Sequence, residues 1–257
     1  RSPIGGWGRE LQGCPLLFPP RPAGEGSPGG RKLRAVGDGQ RAFPSASGGG
    51  RREQHGDRGG GARVGVFGGT FDPPHLGHVI AAVNVRYELA LDRVLMVPAG
   101  VPWQKAHLQI SPAEDRLAML CATIDGVDGL EVSTVELERG GDSYTVDTIE
   151  SLAAADPDAQ HFLIVGSDIA PGLDTWHRPD DLRSLVSLVI YERAGWSGGR
   201  PPAGWSATVV DVPQVAVSST ELRQRVRDGR PIAGMVTPTV ERHIRARKLY
   251  VDAAPVA

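Results

Sequence analysis

The sequence predicts an α/β protein: a Rossmann-like parallel sheet with helices on both faces and a C-terminal helical portion. Two observations carry that reading. From residue 63 onward, apolar runs of strand length alternate with segments whose apolar residues recur at helical spacing. Several of those runs are apolar throughout, the pattern of strands covered on both faces. A third observation sets the boundaries. Residues 1–62 hold 17 of the 34 glycines and 7 of the 21 prolines and carry a net charge of +5, against −7 for the rest. Such a segment buries too little apolar surface to offset chain entropy. It is expected to be a disordered Gly/Pro/Arg-rich extension, with one domain over 63–252 and a short disordered tail over 253–257.

The elements follow in order. Arg63–Gly69 is a short apolar run ending in glycines, a buried strand entering a turn. From Gly77 to Leu91, Ile80, Val83, Tyr87 and Leu91 recur at helical spacing. Arg93–Pro98 is a second buried strand, stopped by its proline. Ser111, Pro112 and Glu114 supply a cap, a proline at the first helical position and an early acid, starting a helix that runs to about Ile124. Leu130–Val135 alternates like a strand, and Thr145–Ala155 reads as a helix. His161–Gly166, Leu185–Tyr191 and Thr208–Val212 are three more strands, and Thr220–Arg227 and Pro238–Arg247 two closing helices. Ligands of such sheets lie beyond the C-terminal strand ends. That singles out Gly68–Asp72, Pro98–Lys105 and Gly166–Asp168.

Composition excludes several function classes. No stretch approaches the roughly 18 apolar residues of a membrane span. The two cysteines, Cys14 and Cys121, cannot build a disulfide framework or a zinc ribbon. This fits a reducing, cytoplasmic setting, with Cys121 packing as a small apolar residue. A net charge of −2 predicts no bulk attraction to nucleic acid. RNA contact by the basic first segment is a lesser reading.

The chemistry concentrates in Gly68–Gly69–Thr70–Phe71–Asp72–Pro73–Pro74–His75–Leu76–Gly77–His78, between the first strand and the first helix. Glycines let a phosphate approach the backbone, and a helix start favours an anion. Two histidines three apart can donate to phosphate oxygens and stabilise charge in nucleotidyl transfer. Gly77 between them is expected to leave room for a ligand. No Gly-Lys-Ser/Thr follows, so this is not a Walker loop. Ser218–Ser219–Thr220 opens a helix with Arg223 one turn in. That is an anion site or, taken alone, a cap with a surface arginine. Gly166 and Asp168 at a strand end suit ribose hydroxyls, and Trp176 offers a flat face to a ring. Taken alone, each is equally an N-cap or a core residue.

These residues match a known pattern. The segment resembles the H-x-G-H nucleotidyltransferase superfamily, and its extended form resembles the bacterial nicotinate-nucleotide adenylyltransferases. Val217–Arg223 resembles that family's I-S-S-T-x-x-R element, Gly166–Trp176 its G-x-D-x-x-x-x-L-x-x-W, and Ser143–Thr148 its S-Y-T-x-D-T. The likeness spans nearly all of 63–252. It implies adenylyl transfer from ATP to nicotinate mononucleotide, giving nicotinate adenine dinucleotide and pyrophosphate, a step of NAD biosynthesis. It implies His75, His78 and Arg223 as catalytic. It implies Gly68, Gly69, Thr70, Phe71, Gly166, Asp168, Ser218, Ser219 and Thr220 at ATP, and Lys105, Thr145 and Trp176 at nicotinate mononucleotide. Mg²⁺ is expected to arrive with ATP, without a metal site of the protein's own. The loop around Lys105 matches only in part, Trp103 and Arg193 carry no firm role, and homo-oligomerisation stays open. His107, His161 and His177 are expected at the surface. The basic tail cluster of Arg242, Arg245, Arg247 and Lys248 reads as a solvated face. Rival readings are another phosphate-bearing acceptor, nicotinamide mononucleotide, or a nucleotide-binding regulator without catalysis.

Overall fold

The computed structural model describes Leu16–Leu17 and residues 61–101, 110–192 and 198–251. Its elements are β1 (Leu16–Leu17), β2 (Arg63–Gly69), α1 (Leu76–Glu88), β3 (Arg93–Pro98), α2 (Ala113–Ile124), β4 (Leu130–Ser133), α3 (Val135–Arg139), α4 (Thr145–Ala155), β5 (Gln160–Gly166), α5 (Pro179–Leu185), β6 (Ser187–Tyr191), β7 (Ala207–Val210), α6 (Ser219–Arg227) and α7 (Pro238–Ala246). A 3-10 turn, Ala170–Thr175, follows β5. The sheet order is β1-β4-β3-β2-β5-β6-β7, and every pairing is parallel. The chain steps outward from β2 through β3 and β4, then returns to the other flank of β2 with β5. The order reverses beside β2, which opens a crevice at the C-terminal ends of β2 and β5.

The strand runs build two core layers because successive side chains leave opposite faces. Val64, Val66, Leu95, Val97, Leu163 and Val165 meet Val146 and Ile149 of α4 and Leu182 of α5. Phe67, Val94, Met96, Phe162 and Ile164 meet Ala81, Ala82 and Val85 of α1 and Leu117 and Leu120 of α2. A third cluster joins Met119 of α2 to Leu222 of α6 and Val240 and Ile244 of α7. The C-terminal helical portion is therefore docked on α2.

Several expectations are corrected. On α1 the buried face is Ala81, Ala82 and Val85, while Val83 and Tyr87 are exposed. The sheet is tightly packed at Gly65. A Cβ at Gly65 would meet Ile164, Leu91 and Val94, each at 3.0 Å. Val135 begins α3 rather than ending β4, and Pro179–Leu185 forms α5 before β6. Pro112, not Ser111, is the N-cap of α2, so the helix starts one residue later than expected. His161 is buried, and burial pushes its imidazole pKa down, favouring the neutral form. Cys121 packs in the core as expected, and its sulfur is disulfide-bonded. Within the first 62 residues, Leu16–Leu17 pair in parallel with Val132–Ser133 at the sheet edge. Among the described residues no helix is long and apolar enough to cross a membrane.

Candidate active site

The turn leaving β2 enters α1 through its two histidines. His75 is the N-cap, with extended backbone, and its amide donates to His78 Nδ1 at 3.1 Å. With Nδ1 accepting, a neutral His78 carries its proton on Nε2, the nitrogen able to donate to a phosphate. The two rings lie 3.8 Å apart between centroids, and Phe71 meets His78 edge-on at 5.0 Å. His75 is buried and His78 half-buried.

Each glycine here has a distinct reason. A Cβ at Gly68 would meet nothing within 4 Å, so that backbone is open to a ligand. A Cβ at Gly69 would strike the Phe71 ring at 2.9 Å, and one at Gly77 would lie 3.0 Å from His75 Nδ1. Gly77 thus makes room for the His75 ring, not for a ligand. A Cβ at Gly166 would fall 2.4 Å from Asp168 Oδ1, so that glycine seats the Asp168 carboxylate.

The start of α6 is bound to the same turn across more than 140 residues. Ser219 Oγ donates to the Pro73 carbonyl at 2.8 Å, and Arg223 Nη1 to the Asp72 carbonyl at 2.8 Å. Arg223 Nη2 reaches Thr220 Oγ1 at 3.2 Å. Both partners are neutral oxygens, so these contacts leave the guanidinium charge uncompensated. Ser218 caps α6 by accepting the Glu221 amide at 3.1 Å. Beneath the turn, buried Arg116 donates to the carbonyls of Ser111, Thr70 and Gly100 at 3.1, 3.0 and 3.2 Å. It fastens α2 to the ends of both central strands.

The opposite wall is built from α4 and the segment after β5. Ser143 Oγ accepts the Gly100 amide at 2.8 Å, which docks the start of α4 against the end of β3. Thr148 Oγ1 donates to buried Glu136 Oε1 at 2.7 Å. Burial raises the Glu136 pKa, while hydrogen bonds from Ser143, Thr148 and the Gly100 amide oppose the rise. Tyr144 stacks on His177 at 4.3 Å, beside Trp176. Arg178, with left-handed φ of 50°, grips Glu150 at 2.6 and 3.2 Å and Asp181 at 2.6 Å.

One cavity of about 380 Å³ is lined by Gly68, Gly69, Thr70, Phe71, His75, His78, Thr145, Gly166, Asp168, Trp176, Ser218, Ser219, Thr220 and Arg223. Every expected site residue except Lys105 is among them. Lys105, Trp103, His107 and Arg193 lie outside the described residues. The lining also includes Asp72, Glu136, Tyr144, His177 and Tyr191, which sequence reasoning left without a role. Tyr144 sits inside a quoted motif and His177 directly follows Trp176, so adjacency was the available signal. Glu136 was hidden because its helix read as a strand end. The basic cluster near residue 245 is not wholly solvated. Arg247 Nε and His243 Nε2 reach the buried Asp115 carboxylate at 2.8 and 2.9 Å. Among the described residues no group of three His, Cys, Asp or Glu side chains is placed to hold a metal ion.

The family described as Cytidylyltransferase-like matches residues 66–225. A "Probable nicotinate-nucleotide adenylyltransferase" of Corynebacterium kroppenstedtii is 42% identical over 197 residues, covering 76% of this chain and 93% of that protein. One of the same description from Gemmatimonas aurantiaca is 44% identical over 195 residues, covering 73% and 92%. Among solved structures, the Plasmodium falciparum nicotinic acid mononucleotide adenylyltransferase complexed with NaAD superposes with a TM-score of 0.62. It shares 16% identity and covers 74% of this chain and 97% of that one, a likeness that speaks for the fold. The chain belongs to the cytidylyltransferase-like family and groups there with the nicotinate-nucleotide adenylyltransferases.

Proposed function

We propose that this protein transfers the adenylyl group of ATP to nicotinate mononucleotide, forming nicotinate adenine dinucleotide and pyrophosphate. The observation that carries the reading is the single cavity at the sheet's switch point. It brings His75, His78 and Arg223 together with Thr145 and Trp176, residues from four separate segments. The mononucleotide phosphate attacks the α-phosphorus of ATP in line, and the bond from that phosphorus to the oxygen bridging the α- and β-phosphates breaks, releasing pyrophosphate. The attacking oxygen is already ionised, so no base and no covalent enzyme intermediate are required.

Catalysis then consists of positioning and charge stabilisation. His78 Nε2–H donates to the α-phosphate oxygens, where charge builds in the transition state, with His75 stacked beside it. Arg223 meets the departing pyrophosphate with Thr220 and the α6 N-terminus. The bare backbone at Gly68 lets the phosphates approach, and Asp168 takes ribose hydroxyls. On the other wall, Thr145 and the α4 N-terminus receive the nicotinate carboxylate, and Trp176 stacks on the pyridine ring. Magnesium would arrive with ATP as the MgATP complex and would offset charge on the phosphates.

The test is pyrophosphate release from MgATP with nicotinate and nicotinamide mononucleotides compared side by side. Strong preference for the nicotinate form is expected. Equal rates would remove the carboxylate-reading role of Thr145. No release with either would overturn the reaction.

A further inference from the structure

The turn that carries the phosphate-binding residues is held from outside the cavity. Tyr250 donates its hydroxyl to Asp72 Oδ1 at 2.5 Å, and the Ser111 amide donates to Oδ2 at 3.0 Å. Asp72 is buried and Tyr250 half-buried. Burial and the adjacent Asp72 carboxylate both push the Tyr250 pKa up, which keeps the phenol a donor. Tyr250 itself is not among the cavity-lining residues.

Reaching Asp72 requires an unusual path. After α7 the backbone turns left-handed at Lys248 (φ 52°) and Tyr250 (φ 63°), and Phe71 within the catalytic turn is left-handed too (φ 50°). Non-glycine residues hold such angles where surrounding contacts over-determine them. The end of α7 is fixed by Arg247 and His243 on Asp115, which gives the Tyr250 segment a firm base. On the cavity side, the Asp72 carbonyl accepts Arg223 Nη1, so one residue links the phenol to a guanidinium facing ATP. Three residues on, His75 begins α1.

We propose that Tyr250 is a positioning residue for adenylyl transfer: through Asp72 it fixes the turn that places His75, His78 and Arg223. The inference rests on the reaction proposed above. A purely structural tyrosine would lower thermal stability and the active fraction, without separating kcat from KM.

The experiment compares Tyr250→Phe, Asp72→Asn and the double variant by pyrophosphate release, with Tm measured for each. In the folded Tyr250→Phe enzyme, kcat is expected to fall about tenfold or more, as for a lost hydrogen bond to a charged group. KM for nicotinate mononucleotide should stay within twofold. The double variant should lose less than the product of the single losses, because both act through one contact. A folded Tyr250→Phe enzyme with kcat within twofold of wild type would overturn the proposal, as would losses that multiply. Should Tyr250→Phe lack a cooperative unfolding transition, Asp72→Asn decides alone, and unchanged kcat there overturns it. A wild-type chain that releases no pyrophosphate would instead refute the reaction. ATP affinity by calorimetry would then judge the contact, and unchanged affinity in Tyr250→Phe would overturn it too.

Discussion

Gly77→Ala separates the placement of His75 from the stability of the fold. The added Cβ would lie 3.0 Å from His75 Nδ1 and 3.1 Å from Cε1, where ordinary contact begins at 3.4 Å. The ring must therefore yield by about 0.4 Å. It is buried with its centroid 3.8 Å from that of His78, so the displacement passes to both histidine rings. Gly77 is the second residue of α1, where alanine is favoured over glycine by up to about 1 kcal/mol. That gain is comparable to the strain of the contact, so Tm should change little. A misplacement of about 1 Å costs on the order of a hundredfold in rate, and 0.4 Å scales to roughly a fivefold to tenfold loss of kcat. The assay is pyrophosphate release at saturating substrates, with calorimetric Tm on the same preparation. Full activity at unchanged Tm would refute the dependence of turnover on His75. A large fall in Tm would refute the contact analysis. Gly68→Ala is the companion variant: its Cβ meets no protein atom within 4 Å, so any loss there must arise against substrate.

Four further outcomes are expected. His78→Ala should lower kcat by about a hundredfold or more with folding intact, and an active variant would sink the mechanism. Trp176→Ala should weaken nicotinate mononucleotide by roughly 1–3 kcal/mol while leaving ATP affinity unchanged; calorimetry with each ligand separates the two. Burial holds the Glu136 pKa above the usual glutamate value, so ionising it in the fold is penalised. Wild-type Tm should therefore fall as pH rises from the ordinary glutamate value through the raised one, and Glu136→Gln should flatten that slope. Arg178→Ala should raise KM for the mononucleotide a few-fold with kcat and the KM for ATP steady, and added salt should shrink the difference because the ion pairs are exposed.

The sequence made the architecture and most of the cavity legible, for reasons that differ by element. The catalytic turn was readable because its chemistry is local: glycines, histidines and a helix start within eleven residues. The central strands were readable because a strand buried on both faces must be apolar throughout. The face of α1 was misread because Val83 and Tyr87 obey the helical period yet point outward. The inward face is instead made by Ala81, Ala82 and Val85. Helix α3 was hidden because Val135 extends the alternation of β4 before Glu136 turns the chain. The anchors Arg116, Asp115 and Tyr250 were invisible because, the contact of Arg116 with Ser111 aside, their partners lie 16 to 178 residues away, and no local pattern marks such pairs. His243 belongs to one of them through its contact with Asp115.

The hydrogen bonds from Ser219, Arg223 and Tyr250 to residues 72 and 73 span 146, 151 and 178 positions. On a ribosome, the phosphate turn emerges long before any residue able to brace it. A nascent chain halted before α6 would hold the glycines and both histidines but not the groups that shape them into a nucleotide site. ATP affinity should therefore appear late in synthesis and abruptly. Prematurely terminated chains would be spared from sequestering nucleotide or leaking pyrophosphate.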